Sequence, residues 1–166
     1  TVAVQAHELA HMWFGNLVTP EWWTDIWLNE SFATWMSYKA ANTYWPEGQY
    51  NRSTLKGALG AMQNDSLAAA REIREPITNS DNIIGAFDGI TYLKGGAVLG
   101  MFENWLGEDG FRAGIRAHMR RFPHGVADVE DFMATRRPPP PEPTPAPPAK
   151  PVSRPVAAGR RGRRAR

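Results

Sequence analysis

A mainly α-helical body with a disordered C-terminal tail is the architecture this sequence predicts, and three observations predict it. Apolar residues recur in runs of helical length separated by Gly, Pro and Asn breakers; no stretch sustains strand alternation; and composition changes abruptly near Arg136. Residues 136–166 hold nine of the 19 Lys and Arg, one of the 17 Asp and Glu, and ten of the 14 prolines, with no aromatic residue. They carry +8 against −6 for residues 1–135, so the overall +2 averages two different materials. A segment so poor in large apolar groups cannot bury enough surface to offset its ordering entropy. The expected division is a folded unit over 1–135 and a Pro/Arg-rich disordered tail over 136–166.

The elements follow in order. Residues 2–14, VAVQAHELAHMWF, read as a helix stopped by Gly15-Asn16; apolar nearly all round, it is expected to be buried. Residues 16–28 form a Trp-rich connection. Asn29 is a good N-cap type for a second helix to Tyr44, ended by Trp45-Pro46 because proline disfavours helix in the residue before it. A third helical stretch spans roughly 47–72, weakened by Gly57 and Gly60, and 77–90 is loop-like. A fourth helix runs from about Thr91 to Leu106 with Gly107 past its end, and a fifth from Glu108 to Phe122. Asp128 is the expected N-cap of a sixth, VEDFMAT. Met101, Phe102 and Trp105 read as a core stripe, and six tryptophans (13, 22, 23, 27, 35 and 45) as dense packing.

Several functions drop out. With no cysteine there is no disulfide framework, thiolate zinc finger or cysteine nucleophile. No apolar run approaches a membrane span and no secretory leader is present, so the compartment stays open with a slight lean to the cytoplasm. No G-x-G-x-x-G or Walker pattern occurs, so Gly95-Gly96 reads as close backbone packing rather than a phosphate loop. The tail offers polyproline and basic motifs, but its composition favours a low-complexity terminus without a fixed role, and nucleic-acid binding ranks last.

The chemistry sits near the start. His7 and His11, four apart, project from one helical face, and Glu8 follows His7: the H-E-x-x-H arrangement, in which two histidines hold zinc and the glutamate acts as general base. A catalytic zinc takes three protein ligands and keeps one position open. Glu30, eighteen residues beyond His11, supplies the third candidate. From this chain's own composition, the motif arises by chance in about one such chain in 200, and with a glutamate at that preset spacing in about one in 3,000. The competing structural reading is a buried helix with two hydrogen-bonded core histidines and a salt-bridged glutamate. Asn29 and Thr34 could support the ligands, although an N-cap and a solvated threonine are equally good readings. Lys94 reads as structural, and His118 and His124 receive no role.

The run HELAHMWFGNLVTPEWWTDIWLNESFATW closely resembles the zinc-binding segment of the aminopeptidase N family, metallopeptidases of the gluzincin type. A second block, FDGITYLKGGAVLGMFENWLGEDGFRAGIRAHM, resembles the family's downstream segment built on Tyr-x-Lys-Gly. The resemblance implies the helical portion of a thermolysin-like catalytic domain, one Zn(II) held by His7, His11 and Glu30, and Glu8 as the base. It also implies that Tyr92 donates to the oxyanion of the tetrahedral intermediate and that the substrate is a peptide cut at its N-terminal bond. The family's Gly-x-Met-Glu-Asn segment, whose glutamate grips the substrate's α-amine, has no counterpart in these residues. The expectation is therefore a piece of a longer chain whose β-rich lobe comes from the full-length protein. The alternative is a truncated zinc-binding domain without catalytic competence.

Overall fold

The computed structural model describes residues 1–135; the expected disordered tail, 136–166, lies outside the described residues. Six α-helices carry the fold: α1 (Val2–Ala10), α2 (Ile26–Tyr44), α3 (Tyr50–Asp65), α4 (Gly95–Leu106), α5 (Glu108–Arg121) and α6 (Val129–Thr135). Two three-residue strands add a detail that alternation was too short to signal. Strand β1 (Val18–Pro20) pairs in parallel with β2 (Gly125–Ala127), Val18 opposite Gly125. The His124 N–H donates to the Leu17 carbonyl at 2.7 Å, so the end of the folded unit is stitched to the loop after α1. Among the described residues no helix is long and apolar enough to cross a membrane.

Helix α2 is the axis. Ile26, Trp27, Leu28, Glu30–Thr34, Ser37 and Ala41 are all buried along it. It starts three residues before the expected Asn29, because Ile26–Leu28 are core residues that pack best with the helix continued back through them. It ends where proline dictates: Trp45, before Pro46, is extended at φ −139° and ψ 77°. Phe32 forms the centre of the aromatic core, stacked on Phe14 at 4.5 Å between ring centroids and edge-on to Phe132 at 5.1 Å. Leu99 of α4 and Phe111 of α5 close the same cluster. Asp128 caps α6 as expected, accepting from the Asp131 N–H at 2.8 Å.

Four expectations are corrected. Helix α1 ends at Ala10 rather than residue 14, and it is not buried all round: Ala3, Ala6, His7 and Ala10 make the inner side, whereas Val4 and Leu9 are more than half exposed. Its principal packing partner is α2, which covers one side only. The tryptophans divide likewise: Trp27 is buried and Trp35 packs on the core, but Trp13, Trp22, Trp23 and Trp45 are exposed. In α4, Gly95, Gly96 and Leu99 point inward and Phe102 follows them, so Met101 and Trp105 fall on the outer face at 69% and 78% exposure. Helix α3 is also shorter than expected, and the chain from 66 to 89 runs as turns and short 3-10 segments.

Candidate metal centre

Small residues let the histidines reach α2. With Ala3, Ala6 and Ala10 on its inner side, α1 lies close along α2 and carries His7 and His11 to the buried Glu30. His11 follows Ala10 with helical backbone angles (φ −61°, ψ −17°), which keeps it on the face of His7. The Nε2 atoms of the two histidines are 3.2 Å apart. Glu30 Oε2 lies 3.1 Å from His7 Nε2 and 3.5 Å from His11 Nε2.

These three edges fit a metal. Zinc–nitrogen and zinc–oxygen bonds of about 2.0–2.1 Å in tetrahedral geometry place neighbouring ligand atoms about 3.3–3.4 Å apart. The donor chemistry agrees. His11 Nδ1 lies 2.9 Å from the Phe14 carbonyl, which can only accept, so this nitrogen carries the proton. With a metal bound, the ring would be neutral and turn its Nε2 lone pair to the ion; without one, the protonated Nε2 donates to Glu30 instead. Thr34, buried rather than solvated, lies behind the other imidazole with its hydroxyl 3.5 Å from His7 Nδ1. Asn29, in the first turn of α2, packs beside Gly15.

Electrostatics prepare the same site for a cation. Burial raises the Glu30 carboxyl, but hydrogen bonds from His11 and His7 more than reverse this and hold it at about 2. The hydrogen bond to Glu30 raises His11, against burial and with help from the Phe14 carbonyl. Glu30 is thus a carboxylate throughout the physiological range.

Glu8 and Tyr92 complete a cleft of about 440 Å³, lined also by the three ligand candidates. Glu8 is exposed on its wall. Tyr92 rides on a π-helical turn, Ile90–Lys94, placed where a continuous α-helix from Thr91 was expected; such turns re-aim side chains. Its ring centroid is 5.8 Å from that of His7. Burial, and then the charge and hydrogen bonding of Glu30, push the phenol up to about 12, so it remains a proton donor at neutral pH. The turn can approach because α4 opens with two glycines: a Cβ on Gly95 would overlap the Ser31 hydroxyl, and one on Gly96 would stand 3.3 Å from Thr34 Cγ2. Lys94, on the same turn, is structural as expected, paired with Asp65 of α3.

Residues 1–137 match the Peptidase family M1 domain. The chain belongs to peptidase family M1. Among its M1 relatives, Aminopeptidase M1-A of Oryza sativa subsp. japonica is 44% identical over 131 residues, covering 79% of this chain and 15% of that protein. "Aminopeptidase 2, mitochondrial" of Saccharomyces cerevisiae is 46% identical over 133 residues, covering 78% and 14%. Endoplasmic reticulum aminopeptidase 2 of Homo sapiens is 41% identical over 132 residues, covering 80% and 14%. The chain therefore spans about one seventh of the length of these M1 relatives.

Sequence reasoning missed the supports of this candidate site. Ser31, beside Glu30, donates to the Thr91 carbonyl at 2.6 Å. Asp88 caps the turn that carries Tyr92, accepting from the Ile90 and Thr91 N–H groups at 2.9 and 3.2 Å. An Asp two residues before a helical run is a visible signal for that cap. Nothing local signals Arg71, which pairs with Asp88 from seventeen residues away.

Proposed function

We propose that this chain carries the zinc-binding and peptide-hydrolysing residues of an M1 aminopeptidase, acting on N-terminal peptide bonds. The observation that carries the reading is the meeting of His7, His11 and Glu30 at 3.1–3.5 Å on one cleft with Glu8 and Tyr92. His7, His11 and Glu30 would hold one zinc ion, which when bound supplies Lewis acidity to the carbonyl and to water. Glu8 takes a proton from the attacking water at its carboxylate and returns it to the leaving amine nitrogen as the C–N bond breaks. Tyr92, still protonated, donates a hydrogen bond to the carbonyl oxygen as negative charge develops there.

The test is zinc stoichiometry together with aminoacyl-anilide hydrolysis for wild type, Glu8→Gln and Tyr92→Phe. Glu8→Gln should retain zinc and lose turnover by at least about 100-fold. His11→Ala should lose the metal, and unchanged metal content there would refute the ligand set. A second reading, a zinc-binding domain without catalytic competence, is favoured by the exposed Val4 and Leu9 of α1. Stoichiometric zinc with no Glu8-dependent turnover would select it. We further propose that 1–135 is the functional unit and 136–166 an appendage; deleting the latter should leave zinc content unchanged.

A further inference from the structure

The guanidinium of Arg71 ties its own stretch of chain, where it also pairs with Glu75 at 3.5 Å, to the segment leading into the Tyr92 turn. Its side chain is 15% exposed and every nitrogen donates. Nη2 reaches Asp88 Oδ1 and Thr91 Oγ1, each at 2.6 Å, and the Ala86 carbonyl at 3.2 Å. Nε donates to Asp88 Oδ2 at 3.1 Å, and Nη1 to the carbonyls of Glu72 and Ile73. The fork therefore holds Asp88 by both oxygens while Asp88 Oδ1 caps Ile90 and Thr91. From the other side, Ser31 holds the Thr91 carbonyl next to the ligand candidate Glu30.

We propose that Arg71 is a positioning residue for Tyr92: through Asp88 and Thr91 it fixes the π-turn so that the phenol stays registered against His7 and Glu30. This rests on the hydrolase reading, in which Tyr92 serves the developing oxyanion. Loops tolerate small displacements, but an oxyanion donor does not, since a shift of about 1 Å costs on the order of 100-fold in rate. Lysine would not substitute, because one ammonium cannot span two carboxylate oxygens, a hydroxyl and three carbonyls.

Two measurements on the full chain test the assignment. The first is amide hydrogen exchange in Arg71→Gln. Protection should fall at Ile90, Thr91 and Tyr92 and hold in α1 and α2, with zinc content unchanged. The second is a double-mutant cycle on anilide hydrolysis. Arg71→Gln should lower kcat by about 10- to 100-fold with KM within about threefold, and by less than about twofold once Tyr92→Phe is present. A merely structural arginine would give equal losses in both backgrounds, together with global loss of protection, and either result overturns the proposal. Should Arg71→Gln fail to fold, Thr91→Val and Arg71→Lys carry the same cycle with milder losses of the same pattern. If wild type shows no Glu8-dependent turnover, the hydrolase reading falls, and exchange alone decides the clamp. Wild-type protection at Ile90 and Thr91 in the variant would then refute it.

Discussion

Adding one methyl group at Gly95 tests how the site is built, because helix propensity and packing predict opposite signs. Gly95 opens α4, where replacement by alanine favours the helix by about 1 kcal/mol if nothing else changes. Here the new Cβ would overlap the Ser31 hydroxyl and stand 2.9 Å from Ser31 Cβ, at a residue with no exposed surface. Overpacking of this kind costs about 1–3 kcal/mol. Ser31 can yield only by swinging its hydroxyl away from Thr91, which deprives a buried carbonyl of its donor at a further cost of about 1–3 kcal/mol. The expected net effect is destabilisation by about 1–5 kcal/mol, read as a lower urea midpoint at constant slope. The Ser31→Ala background removes the overlapping oxygen, so Gly95→Ala should cost less there, with a coupling of about 1–2 kcal/mol. A Gly95→Ala protein as stable as wild type, or more so, would refute the close approach of α4 to α2.

Other consequences can be measured on the same protein. Phe32→Ala removes the ring on which Phe14 and Phe132 pack and should cost about 3–5 kcal/mol, enough to leave a marginally stable domain largely unfolded by circular dichroism. In the metal-free chain the Glu30–His11 pair should impose two opposed pH limbs. Glu30, depressed to about 2, contributes stability that is complete above its ordinary 4.5 and is lost as pH falls toward 2. His11, raised, contributes stability that is complete below 6.5 and is lost as pH rises through its folded value. The difference in urea midpoint between wild type and Glu30→Gln should therefore be largest between about pH 5 and 6.5; a difference flat from pH 3 to 8 would exclude the pair. His118 acts in the other direction, since burial lowers it and its contribution is lost as pH falls below 6.5, but this is common to both proteins.

The candidate site was legible because its chemistry is local in sequence. H-E-x-x-H needs only helical spacing to face two imidazoles the same way, and Glu30 stands at a family distance along a second helix. Helix ends were legible where a residue's own covalent geometry decides them, as at Trp45-Pro46, or where a cap is adjacent, as at Asp128. Burial was not. Met101 and Trp105 keep the spacing of a core stripe, yet Gly95, Gly96 and Leu99 take the inward face because only glycine lets α4 approach Ser31 and Thr34.

By itself the sequence determined which side chains can bind a metal and move a proton, because residue type and spacing set those capacities. Only the tertiary structure decided that the three candidate ligand atoms close to within 3.5 Å and that the Tyr92 ring lies beside that of His7. Those outcomes depend on alanines and glycines that admit close helix packing, and on Ser31, Asp88 and Arg71, which hold the Tyr92 turn across as many as 60 residues of sequence within one hydrogen-bonded network. Such contacts join distant parts of the chain, and their energy depends on distances that no local pattern encodes.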